Sequence, residues 1–445
     1  MSKKVIIPFL LLILCSQVLQ AQFSVSSNKR YLLKDGKPFF WLGDTAWELF
    51  HKLNREEADR YLKRRSEQGF TIIQAVALAE LDGLRTPNPY GEVPLINEDP
   101  GKPNDIYFRH VDYIISKAEE YSLSIALLPT WGDKLSKDTW GKGPEIFNTG
   151  NAAQYGAWIA NRYKDRKNVL WVLGGDRNPK NDQHVAVWRS MGNAIKKATA
   201  NKAVISFHPM SNRLGSSEWF HNDAWLDFNM FQTGHCRDVD VYDWVTTVYN
   251  KTPTKPVMDA EPIYEDHPVC FKANVLGISN TLDVRKAAYL NLFAGAFGHT
   301  YGCHDIWQMY SPKAEGVNGP HHYWYDALEL PGANQMIHVK NLLINRNFAD
   351  RVPDQSLIME NNLPSAERIQ AMRGDNYIMV YTAAGRPFTL NMGKLQGSVV
   401  HAYWYNPSDG KAGEKAQVDN KGTHQFKPPS SGYGNDWVLV VEAGS

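Results

Sequence analysis

The sequence predicts a (β/α)8 barrel of the TIM type followed by a small antiparallel β-sandwich. Eight short apolar runs recur along the first three quarters of the chain: Phe39 to Leu42, Thr71 to Leu78, Ser124 to Pro129, Asn168 to Leu173, Ala203 to Phe207, Asp227 to Phe231, Pro256 to Ala260 and Phe297 to Tyr301. They are continuously apolar rather than alternating, so each strand is covered on both faces, as in a parallel sheet flanked by helices. Eight strand-and-helix units in about 300 residues suit a closed barrel. From about Asp350 the helical stripes stop, and short apolar runs alternate with Asp409-Gly410, Asn420-Lys421-Gly422 and Gly432-Tyr433-Gly434 turns, the texture of an antiparallel β domain. A doubly wound open sheet is the rival, but no G-x-G-x-x-G follows a strand and there is no phosphate loop.

The elements follow in order. Residues 1–21 read as a secretory leader: basic Lys3 and Lys4, an apolar run from Val5 to Leu14, and small Ala21 at the cleavage edge. That run is well short of the roughly 20 residues that span a bilayer, so no membrane span is expected. Tyr31 to Gly43 reads as a hairpin around Asp35-Gly36. Asn54 and Glu57 form a capping box, Ala58, Tyr61 and Leu62 share the face of the helix they open, and Gly69 ends it. Further stripes run through Phe108, Val111, Ile115 and Ala118; Tyr155, Trp158, Ile159 and Arg162; Val185, Trp188, Gly192 and Ile195; and Met336, Val339 and Leu343. Tyr377 to Thr382, Val399 to Tyr405 and Trp437 to Glu442 are strands of the later domain. The expected division is leader 1–21, catalytic barrel 22–349 and accessory β-sandwich 350–445.

Composition narrows the function. Lys and Arg total 48 against 47 Asp and Glu, and two of those lysines leave with the leader, so the basic surplus that nucleic-acid binding needs is missing. Aromatics make up 12% of the 445 residues, with 14 Trp, which fits flat-faced ligands such as sugars as well as a large core. Cys236, Cys270 and Cys303 remain after export, at wide spacings that allow at most one disulfide and do not identify it.

In such a barrel the chemistry gathers where strands end. The fourth run ends Gly174-Gly175-Asp176 and the seventh ends Asp259-Ala260-Glu261-Pro262. Carboxylates delivered from strands four and seven face one another across the mouth, as glycoside hydrolysis requires: one protonates the departing oxygen, and at a separation of about 5 to 5.5 Å the other acts as nucleophile. Asp176 and Glu261 are the chosen pair. The two glycines leave room for a sharp turn before Asp176, and a negative Glu261 would raise the acid's pKa as proton donation demands. Asp259 is expected a layer deeper, Glu265 out in the loop, and Glu80 at the end of the second strand. Asp44, Trp47, Trp131, His208, Gln232, His235, Tyr264, Tyr301, His304 and Trp307 stand at strand ends as candidate substrate contacts. His208, His235, His299, His304, His321 and His322 form no H-x-H or H-E-x-x-H spacing, so neither a metal nor another cofactor is expected.

Gly43-Asp44-Thr45-Ala46-Trp47, Leu173 to Pro179, Trp225 to His235, Lys255 to Glu265 and Tyr301 to Trp307 together resemble glycoside hydrolase family 140, across nearly the whole mature chain. The family was formerly a domain of unknown function paired with a small C-terminal β domain of collagen-binding type. The resemblance implies an exo-acting retaining apiosidase that releases apiose from plant pectin side chains of the rhamnogalacturonan-II type, with Asp176 as acid/base and Glu261 as nucleophile. It also implies a periplasmic or surface location in a Gram-negative bacterium. The alternatives are an exo-glycosidase for another terminal sugar and a non-catalytic glycan-binding barrel.

Overall fold

The computed structural model describes residues 23–444 apart from 139, 361 and 362; the expected leader, residues 1–21, lies outside the described residues. Asp35 and Gly36 both take positive φ, 51° and 75°, and the tight turn they make pairs Leu32–Lys34 with Lys37–Phe39. Phe23–Val25 adds a third antiparallel strand. The apolar side of this meander, Phe23, Leu32 and Phe39, joins the same interior cluster as Trp41 and Phe297 and closes the amino end of the barrel.

Eight parallel strands follow: Trp41–Thr45, Ile72–Leu78, Ser124–Thr130, Val169–Gly174, Ile205–His208, Asn229–Phe231, Val257–Asp259 and Gly298–Tyr301. Each falls on an expected run. The first starts two residues late because Phe39 is spent on the hairpin. The eighth strand pairs with the first, and the ladder runs on through the fifth; the sixth and seventh pair separately. Single backbone bonds bridge the two ladders, Asp227 N to Ile205 O (2.8 Å) and Phe297 N to Val257 O (3.0 Å), so the ring is complete. Ile72, Val76, Ala126, Leu128, Leu170, Val172, Met230 and Met258 fill the interior. Their strand neighbours Ile73, Ala75, Ile125, Leu127 and Leu173 pack outward against the helices. Both sides being apolar is why the strands show no alternation.

Asn54 and Glu57 close the anticipated capping box on Arg55–Glu67. Asp105–Glu120, Thr149–Tyr163, Asp182–Ala198 and Pro331–Ile344 form on the expected stripes. Val241–Tyr249 and Thr281–Phe293 were not anticipated. The second is buried on nearly every side, because it packs on the barrel with one face and on the later β domain with the other, so it carries no polar stripe. Tyr289 stacks on Tyr381 at 4.9 Å, and the Arg285 guanidinium forks onto Asp436, with Nε to Oδ2 at 2.9 Å.

The later domain is a six-stranded antiparallel sheet in the order Val352–Pro353, Ile369–Arg373, Tyr377–Thr382, Trp437–Ala443, Val399–Tyr405 and Ala416–Asp419. A two-stranded ribbon, Phe388–Asn391 with Thr423–Phe426, lays Phe388 and Leu390 on Ile378, Val380, Leu439 and Val441. No helix among the described residues is long and apolar enough to cross a membrane.

The Arg285 and Asp436 side chains are both buried, so removing one leaves the other charge stranded. Asp436→Ala is expected to lower stability by about 3–5 kcal/mol, read as a shift of the urea midpoint followed by tryptophan fluorescence.

Candidate active site

The fourth strand delivers Asp176 through three successive left-handed residues, Gly174, Gly175 and Asp176, with φ of 87°, 115° and 49°. A Cβ on Gly174 would lie 2.3 Å from the His208 carbonyl oxygen, and one on Gly175 would lie 2.6 Å from Trp131 Cε3, so no other residue fits. Gly175 N donates to His208 O (2.8 Å), and Gly132 N donates to Gly175 O (3.0 Å); the turn is thereby tied to strands on both sides. The Asp176 side chain keeps 19% of its surface open. Arg177 Nη1 lies 3.2 Å from its Oδ2, while the same guanidinium is held by the carbonyls of Ser136 and Lys137.

Glu261 comes from the end of the seventh strand. Its backbone N donates to Asp259 Oδ1 (3.2 Å), and Asp259, fully buried, also accepts from the Thr233 hydroxyl and backbone N. Asp259 thus orients two strand ends and faces away from solvent, as expected for the deeper layer. His208 Nε2 lies 3.2 Å from Glu261 Oε2, and His235 Nε2 lies 3.4 Å from Oε1. The Glu261 side chain is 7% exposed. The other ring nitrogen of His208, Nδ1, sits 3.5 Å from the Asp176 backbone N, so one imidazole stands between the two acids. Trp47 and Trp131 wall that imidazole, with ring centroids 5.3 and 6.1 Å away; Tyr264 and His267 pack on His235 at 4.4 and 4.1 Å.

The two acids are driven in opposite directions. Burial, then the charge of Glu261, raises Asp176 to about 6 against the pull of Arg177, His208 and His235. Burial also acts to raise Glu261, but the imidazoles of His208 and His235 outweigh it and hold the carboxylate well below its usual range. Asp259 is lifted to about 7, burial prevailing over its hydrogen bonds. Glu80 is pushed well above the carboxylate range by burial, then by the charges of Glu48, Asp133 and Asp176.

A family model described as "Apiosidase-like, catalytic domain" matches residues 26–350. The chain belongs to this apiosidase-like family. Its later strands, residues 352–442, match the model described as "Putative collagen-binding domain of a collagenase". A solved structure named glycoside hydrolase is 37% identical, with 95% of this chain and 97% of that one covered and a TM-score of 0.87. A glycoside hydrolase family 5 structure from Bacteroides vulgatus ATCC 8482 is 36% identical over 95% and 93%, also with a TM-score of 0.87. A family 39 glycoside hydrolase from Bacteroides cellulosilyticus WH2, 10% identical over 94% and 82% with a TM-score of 0.54, shares the fold. No curated protein matches the chain in sequence. The apiosidase-like chain is a glycoside hydrolase.

In this apiosidase-like barrel, Trp47, Trp131, His208, His235 and Tyr264 gather around Asp176 and Glu261 as the strand ends implied. Gln232 has the inward parity of Met230, and its buried Oε1 has no partner. His304 and Trp307 form the adjoining wall: Trp307 Nε1 donates to His304 Nδ1 (3.3 Å), and His304 packs on His267 at 4.5 Å. Two expectations are corrected. Asp44 points into the helix layer, where it accepts from Tyr61 Oη (2.5 Å) and Arg65 Nε (2.6 Å). Tyr301 also points outward and donates to Glu265 Oε2 (2.7 Å); strand parity turns both away from the mouth. Glu265 is a structural anchor, accepting from Thr281 and Gly332 as well. Arg177, His267 and the buried Asp133–Lys134 pair (2.6 Å) went unremarked in the sequence; for Arg177 its place directly after Asp176 was the available sign. The disulfide joins Cys236 to Cys270, tying the loops after strands six and seven, and Cys303 is a free, buried thiol. A cleft of about 470 Å³ lined by Pro38, Phe39, Thr71 and Phe348 lies at the amino ends of the strands, away from these acids.

Gly175→Ala combines a forbidden φ with a clash on Trp131. It is expected to cost on the order of 2 kcal/mol of stability, read by urea denaturation, and to displace Asp176 enough to remove hydrolysis.

Proposed function

We propose that the chain is an exo-acting retaining glycosidase that releases apiose from rhamnogalacturonan-II-type pectin side chains, with Asp176 as acid/base and Glu261 as nucleophile. The observation that carries this reading is the opposed setting of the two strand-end acids: one raised to about 6, the other held ionised well below its usual range, with His208 between them. That division suits a double displacement, in which the neutral acid protonates the leaving oxygen while the anion meets the oxocarbenium-like carbon. Once the glycosyl-enzyme forms, the Glu261 charge is gone, Asp176 becomes more acidic, and it serves as base toward water. The small exposure of Glu261 supports a pocket that admits a chain end, and the Trp47 and Trp131 rings supply flat faces for a sugar. Asp44 and Tyr301 have no part in this proposal. Within it the chain is exported, its leader 1–21 is removed, and 350–445 serves the barrel 22–349 as an accessory domain on the bacterial surface or in the periplasm.

Release of apiose from purified rhamnogalacturonan-II oligosaccharides tests the substrate; release of a different terminal sugar overturns that part. Asp176→Asn is expected to lower kcat by about 10²–10⁴-fold, and Glu261→Gln to abolish turnover, while NMR in the first minutes shows a product of unchanged anomeric configuration. Because activity needs Asp176 protonated and Glu261 ionised, kcat/KM should fall as pH rises through about 6. On the acid side it should fall only below the usual carboxylate range. In Glu261→Gln the Asp176 pKa should move down, since the charge that helps raise it is absent, and carboxyl ¹³C NMR reads the shift.

A further inference from the structure

Beside the pocket, a second group of side chains converges from three segments: Asp266 in the loop after the seventh strand, Asp305 in the short helix His304–Trp307, and His322 just before Trp324–Ala327. One ligand atom from each lies within 4.8 Å of the others. His322 Nδ1 is 2.8 Å from Asp266 Oδ2 and 3.9 Å from Asp305 Oδ2. In a tetrahedral zinc site with bonds of about 2.0–2.1 Å, neighbouring donor atoms sit about 3.3 Å apart, and the two separations bracket that value.

The surrounding bonds leave the right atoms available. Asp305 is fully buried, and its Oδ1 accepts the backbone N–H groups of His321 (2.9 Å) and His322 (3.1 Å). Its Oδ2 meets the Cys303 thiol, a weak donor, at 3.7 Å. His321 Nδ1 lies 3.1 Å from Asp266 Oδ1, the carboxylate's other oxygen, where outer partners of metal-binding carboxylates stand. Two carboxylates held against one another inside a protein need a cation or a shared proton between them.

We propose that Asp266, Asp305 and His322 bind a divalent transition-metal cation, best matched by zinc, which fastens the 311–323 loop to the carboxyl end of the barrel. Two oxygens and one imidazole nitrogen suit zinc, while calcium asks for six to eight oxygens. The His322 side chain is 47% exposed, so the ion has a route in and a fourth position for water. The site is separate from the two-carboxylate chemistry but adjoins it: His267 follows Asp266, His304 precedes Asp305, these two histidines pack on one another, and His267 packs on His235. The cation therefore braces the pocket wall.

Calorimetric titration of the metal-stripped full chain with zinc chloride, alongside His322→Ala and Asp266→Asn, tests this. The expected result is one equivalent bound by the natural chain, a rise of its Tm on adding zinc, and affinity reduced on the order of 100-fold or more in both variants. Asn tolerates the left-handed backbone of residue 266 (φ 60°), and unfolding in chelator checks that both variants fold. Absence of binding by the natural chain would mean that the acids share a proton, and equal binding by His322→Ala would assign the ion to other histidines; either result overturns the proposal. The readout is binding, so it stands apart from whether the chain hydrolyses apiosides.

Discussion

The site depends on the contact of Glu261 with two imidazoles, His208 and His235, in a setting that has lost most of its water. Desolvation on its own would neutralise the carboxylate. The histidines reverse that outcome, and the surviving negative charge then acts on Asp176. One local interaction therefore holds Glu261 ionised and, added to burial, helps raise Asp176. The aromatic walls work through the same interaction, since Trp47, Trp131, Tyr264 and His267 hold the imidazoles in place and keep solvent from relaxing the field.

The barrel's part is to present short carboxyl ends at a common mouth without flexible reach. The acid is carried on a turn that only glycines permit, and the anion sits between a proline and a buried aspartate that fixes its amide. Such anchoring limits how far either charge can move, which is what preorganised electrostatics asks of a scaffold.

Much of this was legible in the residue order. Continuous apolar runs marked all eight barrel strands, because strands covered on both faces have no polar side. The Gly-Gly-Asp turn and the Glu-Pro strand end marked the acids. What stayed hidden depended on facing or on distant partners. Asp44 and Tyr301 stand at strand ends like the residues that line the pocket, and only parity, with Arg65 and Glu265 waiting on the outer side, sends them elsewhere. Helix Thr281–Phe293 shows no amphipathic period because two different surfaces cover it. Asp266, Asp305 and His322 lie in separate loops, so no spacing rule reveals their convergence. The pairing of Cys236 with Cys270 was open for the same reason.

Thr281–Phe293 also bears on how this architecture is inherited. Its residues count toward the barrel, yet Tyr289 and Arg285 find their partners in Tyr381 and Asp436. A gene truncated at the boundary would express a barrel with a greasy flank and a cation lacking its counterion, prone to self-association. The sandwich is in that sense a cover the barrel cannot discard, and shuffling that carried the one without the other would have to rebuild this helix first.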